Sequence, residues 1–425
     1  MGQNRGKCMT NTHGGKQAVI LSGGGADGAY EVGVMKALFA GLSPATDYQP
    51  MDPDILVGTS IGSFNAAFLA SHWETYGSAA IANLERVWLD KISGNTQQCG
   101  NGVFRIRAAP TEFINPTCFI SNPLRPFIQL AADSAFLAWD GLQRAVNVTI
   151  EQEEPLLQRV MELFNFASFV SSQPFAQTLH ETIPFANIRR AEKVLKIIAT
   201  NWETGALKTY TNRDMTDGLG PLIIMASAAI PGFFPPVAVG SQAFVDGGVL
   251  MNTPMQPAID AGADTLHVIY LDPEVENIPL SGLANTLETL YRMQTITWAK
   301  ALNNEIRAVR HINRELAYAR LIAETLGILQ QRAPNENLFK GIPVGNIEQY
   351  LQESLDPKYK ELTVHSYHPR DDLGGALGLL NFDRERIRRL IERGFDDAAR
   401  YDSEAYEVIL PVYLPTLSSQ QASGE

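Results

Sequence analysis

The stretch Ile55-Leu56-Val57-Gly58-Thr59-Ser60-Ile61-Gly62-Ser63-Phe64-Asn65-Ala66-Ala67 limits the fold more than any other part of the chain. Its first residues form an apolar run suited to a short buried strand, and the residues after Gly62 continue as a helix. Between them, Gly58-Thr59-Ser60-Ile61-Gly62 satisfies G-x-S-x-G, a sharp strand-to-helix turn that presents a serine hydroxyl above a sheet. The flanking glycines, Gly58 and Gly62, let strand and helix approach without β-carbon clashes, and the helix start puts free N–H groups beneath the serine. The pattern alone is common among glycine-rich turns, so its meaning depends on its neighbours.

Those neighbours repeat the same architecture. Ala18-Val19-Ile20-Leu21-Ser22 reads as a buried parallel strand, Gly23-Gly24-Gly25-Ala26-Asp27-Gly28 as a glycine loop, and Tyr30, Val34 and Leu38 as one face of a helix. Strand character returns at Val194–Thr200, at a short edge strand Lys208–Thr211, at Ala243-Phe244-Val245 before Asp246-Gly247-Gly248, and at Leu266–Leu271 before Asp272-Pro273. Leu222–Ala229 reads as a helix. The alternation predicts an α/β fold with a mostly parallel sheet covered on both faces.

With 425 residues, 45% hydrophobic and 19% charged, the chain can fill one large domain with an appendage. We expect a disordered leader over 1–16, a catalytic domain over 17–275 with an irregular cap at about 94–190, a mainly helical region over 276–417, and a disordered tail over 418–425. In the cap, Thr111–Pro126 carries three prolines, and Leu156, Val160, Leu163 and Phe164 share a helical face. In the C-terminal region, Leu302, Ile306, Val309, Ile312 and Leu316 form a helical stripe. Asp383 is a good N-cap for a basic helix carrying Ile387, Leu390, Ile391 and Phe395, and its arginines read as a solvated face.

A net charge of −12 excludes a nucleic-acid binder and electrostatic docking on an anionic membrane. It permits transient membrane-surface contact through a few apolar side chains. Phe233 and Phe234, among prolines, suit either an interfacial lip or core packing. Pro221–Gly240 is uncharged for 20 residues, but Pro231, Gly232, Pro235 and Pro236 would break a spanning helix. Cys8, Cys99 and Cys118 lack metal-binding spacing and fit a reducing compartment, although Cys99 and Cys118 could pair in an oxidising one. The polar N-terminus has no signal-peptide core and Gly6 breaks the myristoylation pattern, so the expected location is cytoplasmic, with peripheral membrane contact allowed.

Ligands of an open parallel sheet bind beyond the carboxyl ends of its strands, and three glycine-rich loops fall there: Gly23–Gly28, Gly58–Gly62 and Asp246–Gly248. They offer oxyanion donors, a nucleophile and a carboxylate, the parts of an acyl-transfer site. Together with Ser227-Ala228-Ala229-Ile230-Pro231-Gly232-Phe233-Phe234-Pro235-Pro236, these loops resemble the signatures of the patatin-like phospholipases over about residues 18–273. The helix after Asp383 is similar to that of some bacterial members. The resemblance implies a three-layer α/β/α sandwich with a C-terminal helical extension, acting on a lipid or ester substrate without cofactor or metal. It also implies Ser60 as nucleophile, Asp246 as base, and the N–H groups of Gly23, Gly24 and Gly25 as oxyanion hole.

One residue departs from the family pattern: members usually carry Arg or Lys where this chain has Asp27. A carboxylate there either caps the following helix, the preferred reading, or opposes oxyanion charge and weakens activity. The second case would suit a non-catalytic lipid-binding protein. Two further patterns are formally present. Gly23-x-Gly25-x-x-Gly28 satisfies a dinucleotide fingerprint, but Asp47, near the distance required of its acidic partner, lies in proline-rich loop. The order Ser60, Asp246, His267 is formally that of a Ser-His-Asp hydrolase, but His267 lies inside an apolar run and reads as core.

Overall fold

A computed structural model describes residues 15–94, 100–107, 125–150, 169–271, 286–332 and 360–401. The expected leader up to residue 14, most of Thr111–Pro126, the Leu156–Phe164 face, the three cysteines and the tail lie outside the described residues, while Lys16 at the leader's end donates its N–H to Asp264 Oδ2 at 2.7 Å. The strands are β1 (Gln17–Leu21), β2 (Ile55–Thr59), β3 (Arg105–Ile106), β4 (Val170–Ser171), β5 (Val194–Asn201), β6 (Leu207–Thr211), β7 (Val237–Val239), β8 (Gln242–Asp246), β9 (Thr265–Ile269) and β10 (Thr363–Tyr367). The helices are α1 (Gly28–Phe39), α2 (Ile61–Tyr76), α3 (Ala80–Val87), α4 (Arg125–Ile150), α5 (Gln173–Thr182), α6 (Phe185–Arg190), α7 (Gly220–Ser227), α8 (Met255–Asp260), α9 (Thr286–Arg332), α10 (Gly375–Leu379) and α11 (Arg384–Ala399).

Eight strands form one mixed sheet in the order β10-β9-β1-β2-β5-β8-β7, with β6 on the free side of β5. The five strands from β10 to β5 are parallel, and β6, β7 and β8 run antiparallel to their neighbours. Strands buried on both faces must be apolar at every position, which is why β1 and β2 read as unbroken hydrophobic runs. Period-two alternation then divides the core. Val19, Leu21, Leu56, Leu195 and Ile197 meet Tyr30, Val34, Phe64, Phe68 and Ile387 on one face. Ala18, Ile20, Ile55, Val57, Leu266 and Val268 meet Met255, Ala258, Leu302, Ile306 and Val309 on the other. The result is the expected three-layer α/β/α sandwich.

The Leu302 stripe lies on one helix, with Leu302, Ile306 and Val309 buried and Ile312 and Leu316 half-buried. Asp383 caps α11 by accepting from Arg386 N at 2.9 Å. The C-terminal region also contributes β10, which was not anticipated. Thr-Val-His-Ser-Tyr has too few apolar residues to read as a strand, yet it extends the sheet in register beside β9. In the expected cap, α4 is tied to the antiparallel β3–β4 pair by a bidentate Arg105–Asp133 contact at 2.6 and 2.8 Å.

Helix α11 completes the layer formed by α1, and the two cross at glycines. A β-carbon on Gly33 would overlap the Ile391 carbonyl, and one on Gly394 would overlap the Tyr30 carbonyl. Tyr30 also donates to Asp397 at 2.9 Å. Because backbone meets backbone here, no side-chain adjustment can make room. We expect Gly394→Val to lower unfolding free energy by about 1–3 kcal/mol, read by denaturant titration. An unchanged midpoint would show that the crossing is not close.

Candidate active site

The turn after β2 has the geometry its sequence demands. Ser60 has φ 54° and ψ −126°, a conformation that side chains other than glycine rarely adopt. Gly58 and Gly62 face each other across it, so a β-carbon on Gly58 would overlap the Gly62 carbonyl. Hydrogen bonds hold the strained residue. Ser60 N–H donates to Ser227 Oγ at 2.9 Å, and Ser227 Oγ donates to the Ile198 carbonyl at 2.6 Å. Ser63 Oγ donates to the Ser60 carbonyl at 2.5 Å. The strain is thus carried by three neighbouring elements, β5, α7 and the start of α2.

The sheet register brings Asp246 to this turn. On one edge of β5, Thr59 of β2 is the partner of Ile198, and Asp246 of β8 is the partner of the next residue, Ala199. Strand β6 occupies the opposite edge over the same residues. The parallel β2 and the antiparallel β8 therefore run toward each other along one edge and end head to head. Thr59 Oγ1 donates to the Met251 carbonyl at 3.0 Å and ties the two ends together.

Ser60 is 3% exposed and Asp246 5%, so neither faces bulk water. Gly248 N–H donates to Asp246 Oδ1 at 2.7 Å. Burial pushes the Asp246 carboxyl up to about 7, opposed by the Ser60 hydroxyl and by Gly248 N–H. The contact with Ser60 is loose, since Asp246 Oδ2 is buried without a partner at full hydrogen-bond geometry. Trp298 of α9 closes one side by donating to the Gly248 carbonyl at 2.5 Å.

The glycine loop after β1 lies on the other side of Ser60, where a β-carbon on Gly23 would meet Ser60 Cβ at 2.9 Å. Asn252 clamps Gly23: Gly23 N–H donates to Asn252 Oδ1 and O, both at 3.2 Å, and Asn252 Nδ2 returns a bond to the Gly23 carbonyl at 3.2 Å. Among the described residues, the N–H groups of Gly24 and Gly25 have no hydrogen-bond acceptor. Asn252 carries no local sequence signal beyond its place six residues after Asp246.

Asp27 does not cap α1. A capping residue needs extended backbone, but the short turn Gly25–Asp27 runs straight into the helix, leaving Asp27 at φ −69° and ψ −17° with no capping hydrogen bond. Its carboxylate is buried against Arg386 of α11 instead. Burial pushes it up to about 7 against the guanidinium, which lowers it. Arg386 was expected to be solvated and is not.

His267 is core, as read. Its ring stacks on His365 at 5.0 Å, its Nδ1 lies 3.0 Å from Tyr367 Oη, and burial holds its pKa well below the ordinary histidine value. Phe234 packs edge-on against Phe104 at 6.3 Å, while Phe233 is half-buried. No described helix is long and apolar enough to cross a membrane.

Comparison with known proteins places the chain in a family. The family model described as Patatin-like phospholipase matches residues 19–259, more than half of the chain, and the chain belongs to that family. Among solved structures, the crystal structure of VipD from Legionella pneumophila is similar at 13% identity over 93% of this chain and 68% of that one, with a TM-score of 0.33. No curated protein matches the chain.

A carboxyl that titrates near 7 when folded, against about 3.9 unfolded, holds its proton more tightly in the folded state. Its burial penalty is therefore absent below about pH 4 and fully present above about pH 7. Asp246→Asn should raise Tm at about pH 8 and change it little at about pH 4. An equal shift at both pH values would contradict the buried carboxyl.

Proposed function

We propose that the protein is a serine acyl hydrolase of lipid carboxylic esters that works through a Ser60–Asp246 dyad. The observation that carries this reading is the head-to-head meeting of β2 and β8 on one edge of β5, which faces a strained serine with a buried carboxyl. The family supports a lipid or ester substrate.

In the first half-reaction Ser60 Oγ attacks the acyl carbonyl carbon while its proton passes to Asp246. The tetrahedral oxyanion forms against the N–H groups of Gly24 and Gly25, with Gly23 held aside by Asn252 to shape the loop. Collapse breaks the ester C–O bond, and Asp246 returns the proton to the departing alcohol. Water then attacks the acyl-Ser60 ester, Asp246 takes a water proton, and the fatty acid leaves as Ser60 is reprotonated.

A solvated aspartate is a weak base for an alcohol, whereas one raised to about 7 by burial is better matched to proton transfer near neutral pH. Each well-placed oxyanion donor contributes roughly 3–4 kcal/mol to transition-state binding. The alternative of a non-catalytic lipid binder drew its support from Asp27, and Arg386 offsets that charge.

A fluorophosphonate should label the folded protein at one site, and Ser60→Ala should abolish labelling together with hydrolysis of phospholipids and short esters. Absence of labelling in the wild type would overturn the proposal. Because the base must be ionised, kcat/KM should rise with pH through an apparent pKa near 7 and level off above it. A profile flat between about pH 5 and 9 would remove Asp246 from the role.

A further inference from the structure

We propose that Arg386 is a positioning residue for the oxyanion loop, holding Asp27 and the segment 373–381 against Gly25. The inference rests on the dyad reading above, and it places part of the working site on a helix beyond the family match, which ends at residue 259.

The guanidinium of Arg386 joins several parts of the chain. Its Nη2 donates to Asp27 Oδ1 and, at 2.5 Å, to the Leu373 carbonyl; its Nη1 donates to the Asn381 carbonyl at 3.2 Å. Its backbone N–H is fixed by the Asp383 cap, so the side chain leaves α11 from a defined point. The two side chains are 13% and 5% exposed, which makes this a buried pair. Glycine lines the path: a β-carbon on Gly378 would lie 3.0 Å from Arg386 Nη2.

The segment held this way presses on the oxyanion loop. Gly25 has φ 55°, and a β-carbon there would overlap the Leu379 carbonyl of α10. Asp27 closes the same short turn that begins at Gly25. Arg386 therefore fixes the turn twice, directly through Asp27 and indirectly through α10. Its charge has a second effect. Asp27 lies two residues from the Gly25 N–H, and the guanidinium opposes the burial that drives this carboxyl toward its neutral form, keeping it a charged partner for the anchor. The other charged group bearing on Asp27 is Asp372, which adds negative charge.

Anchoring predicts a local loss at the oxyanion loop that reduced packing elsewhere would not produce. The experiment uses the full chain, with kcat and KM for a p-nitrophenyl ester and Tm recorded for every variant. Arg386→Gln should lower kcat about tenfold or more while KM stays within about twofold, because the loss falls in the transition state. Adding Asp27→Asn to Arg386→Gln removes the carboxyl without restoring the anchor, so kcat should stay within about threefold of the single variant. Hydrogen exchange of the peptide spanning Gly24–Asp27 should be faster in Arg386→Gln than in wild type, a readout that needs no turnover.

The proposal is overturned if Arg386→Gln keeps kcat within about twofold of wild type, or if the double variant recovers wild-type kcat although the anchor is still missing. Should Arg386→Gln fail to fold, Arg386→Lys, which keeps the charge but loses the two-carbonyl fork, is compared with the double variant. A Lys variant as fast as wild type then contradicts the anchoring role. An inactive Ser60→Ala beside a flat Arg386 series would overturn this inference and leave the dyad reading standing. A fully active Ser60→Ala would overturn the dyad reading itself.

Discussion

The site depends on the hydrogen-bonding edge of one strand. Backbone donors and acceptors on β5 pair first with β2, up to Ile198–Thr59, and then with β8, from Ala199–Asp246. A parallel and an antiparallel strand can share an edge in this way only by ending where they meet. The ends are the places where side chains leave the pleat, so the ladder itself brings a serine and an aspartate together across 186 positions of sequence. Neither residue is brought there by its own side-chain contacts. The Ser227 bridge between Ser60 N–H and the Ile198 carbonyl then fixes the turn to the same strand.

This arrangement carries a stability cost. Ser60 occupies a backbone conformation that costs of order 1–3 kcal/mol, and Asp246 and Asp27 are carboxyl groups withdrawn from water. Glu31 is a fourth unfavourable element, buried behind the glycine loop with its carboxyl pushed well above the ordinary range by desolvation, against Asn65 Nδ2, which donates to it at 2.8 Å. The surrounding sandwich over-determines each position through the Trp88–Asn65 bond at 2.8 Å, the Asn252 clamp and the α1–α11 crossing. A well-packed two-face core is what makes such a site sustainable.

Much of this was legible locally. The unbroken apolar runs at Ala18–Leu21 and Ile55–Val57 announced strands buried on both faces, and the glycines around Ser60 announced a tight turn. The C-terminal partners were not legible, because nothing in the spacing of Thr363–Tyr367 or in the arginines of α11 indicates which distant element they meet. Asp27 shows the limit well. Its position before a helix suggested a cap, a decision that local sequence usually settles. Here Asp27 itself already has helical backbone, and a guanidinium 359 positions away took the carboxylate. Asn252 was missed for the same reason: its role is defined by Gly23, across the sheet.

The central claim is that Ser60, activated by Asp246, forms a covalent acyl intermediate. The most direct measurement is rapid-quench mass spectrometry of the protein mixed with an activated carboxylic ester, followed by peptide mapping. The account predicts a transient mass increase equal to the acyl group, located on the peptide containing Ser60 and decaying as acid is released. Acid release with no adduct at Ser60, or with the acyl group on another residue, would contradict it.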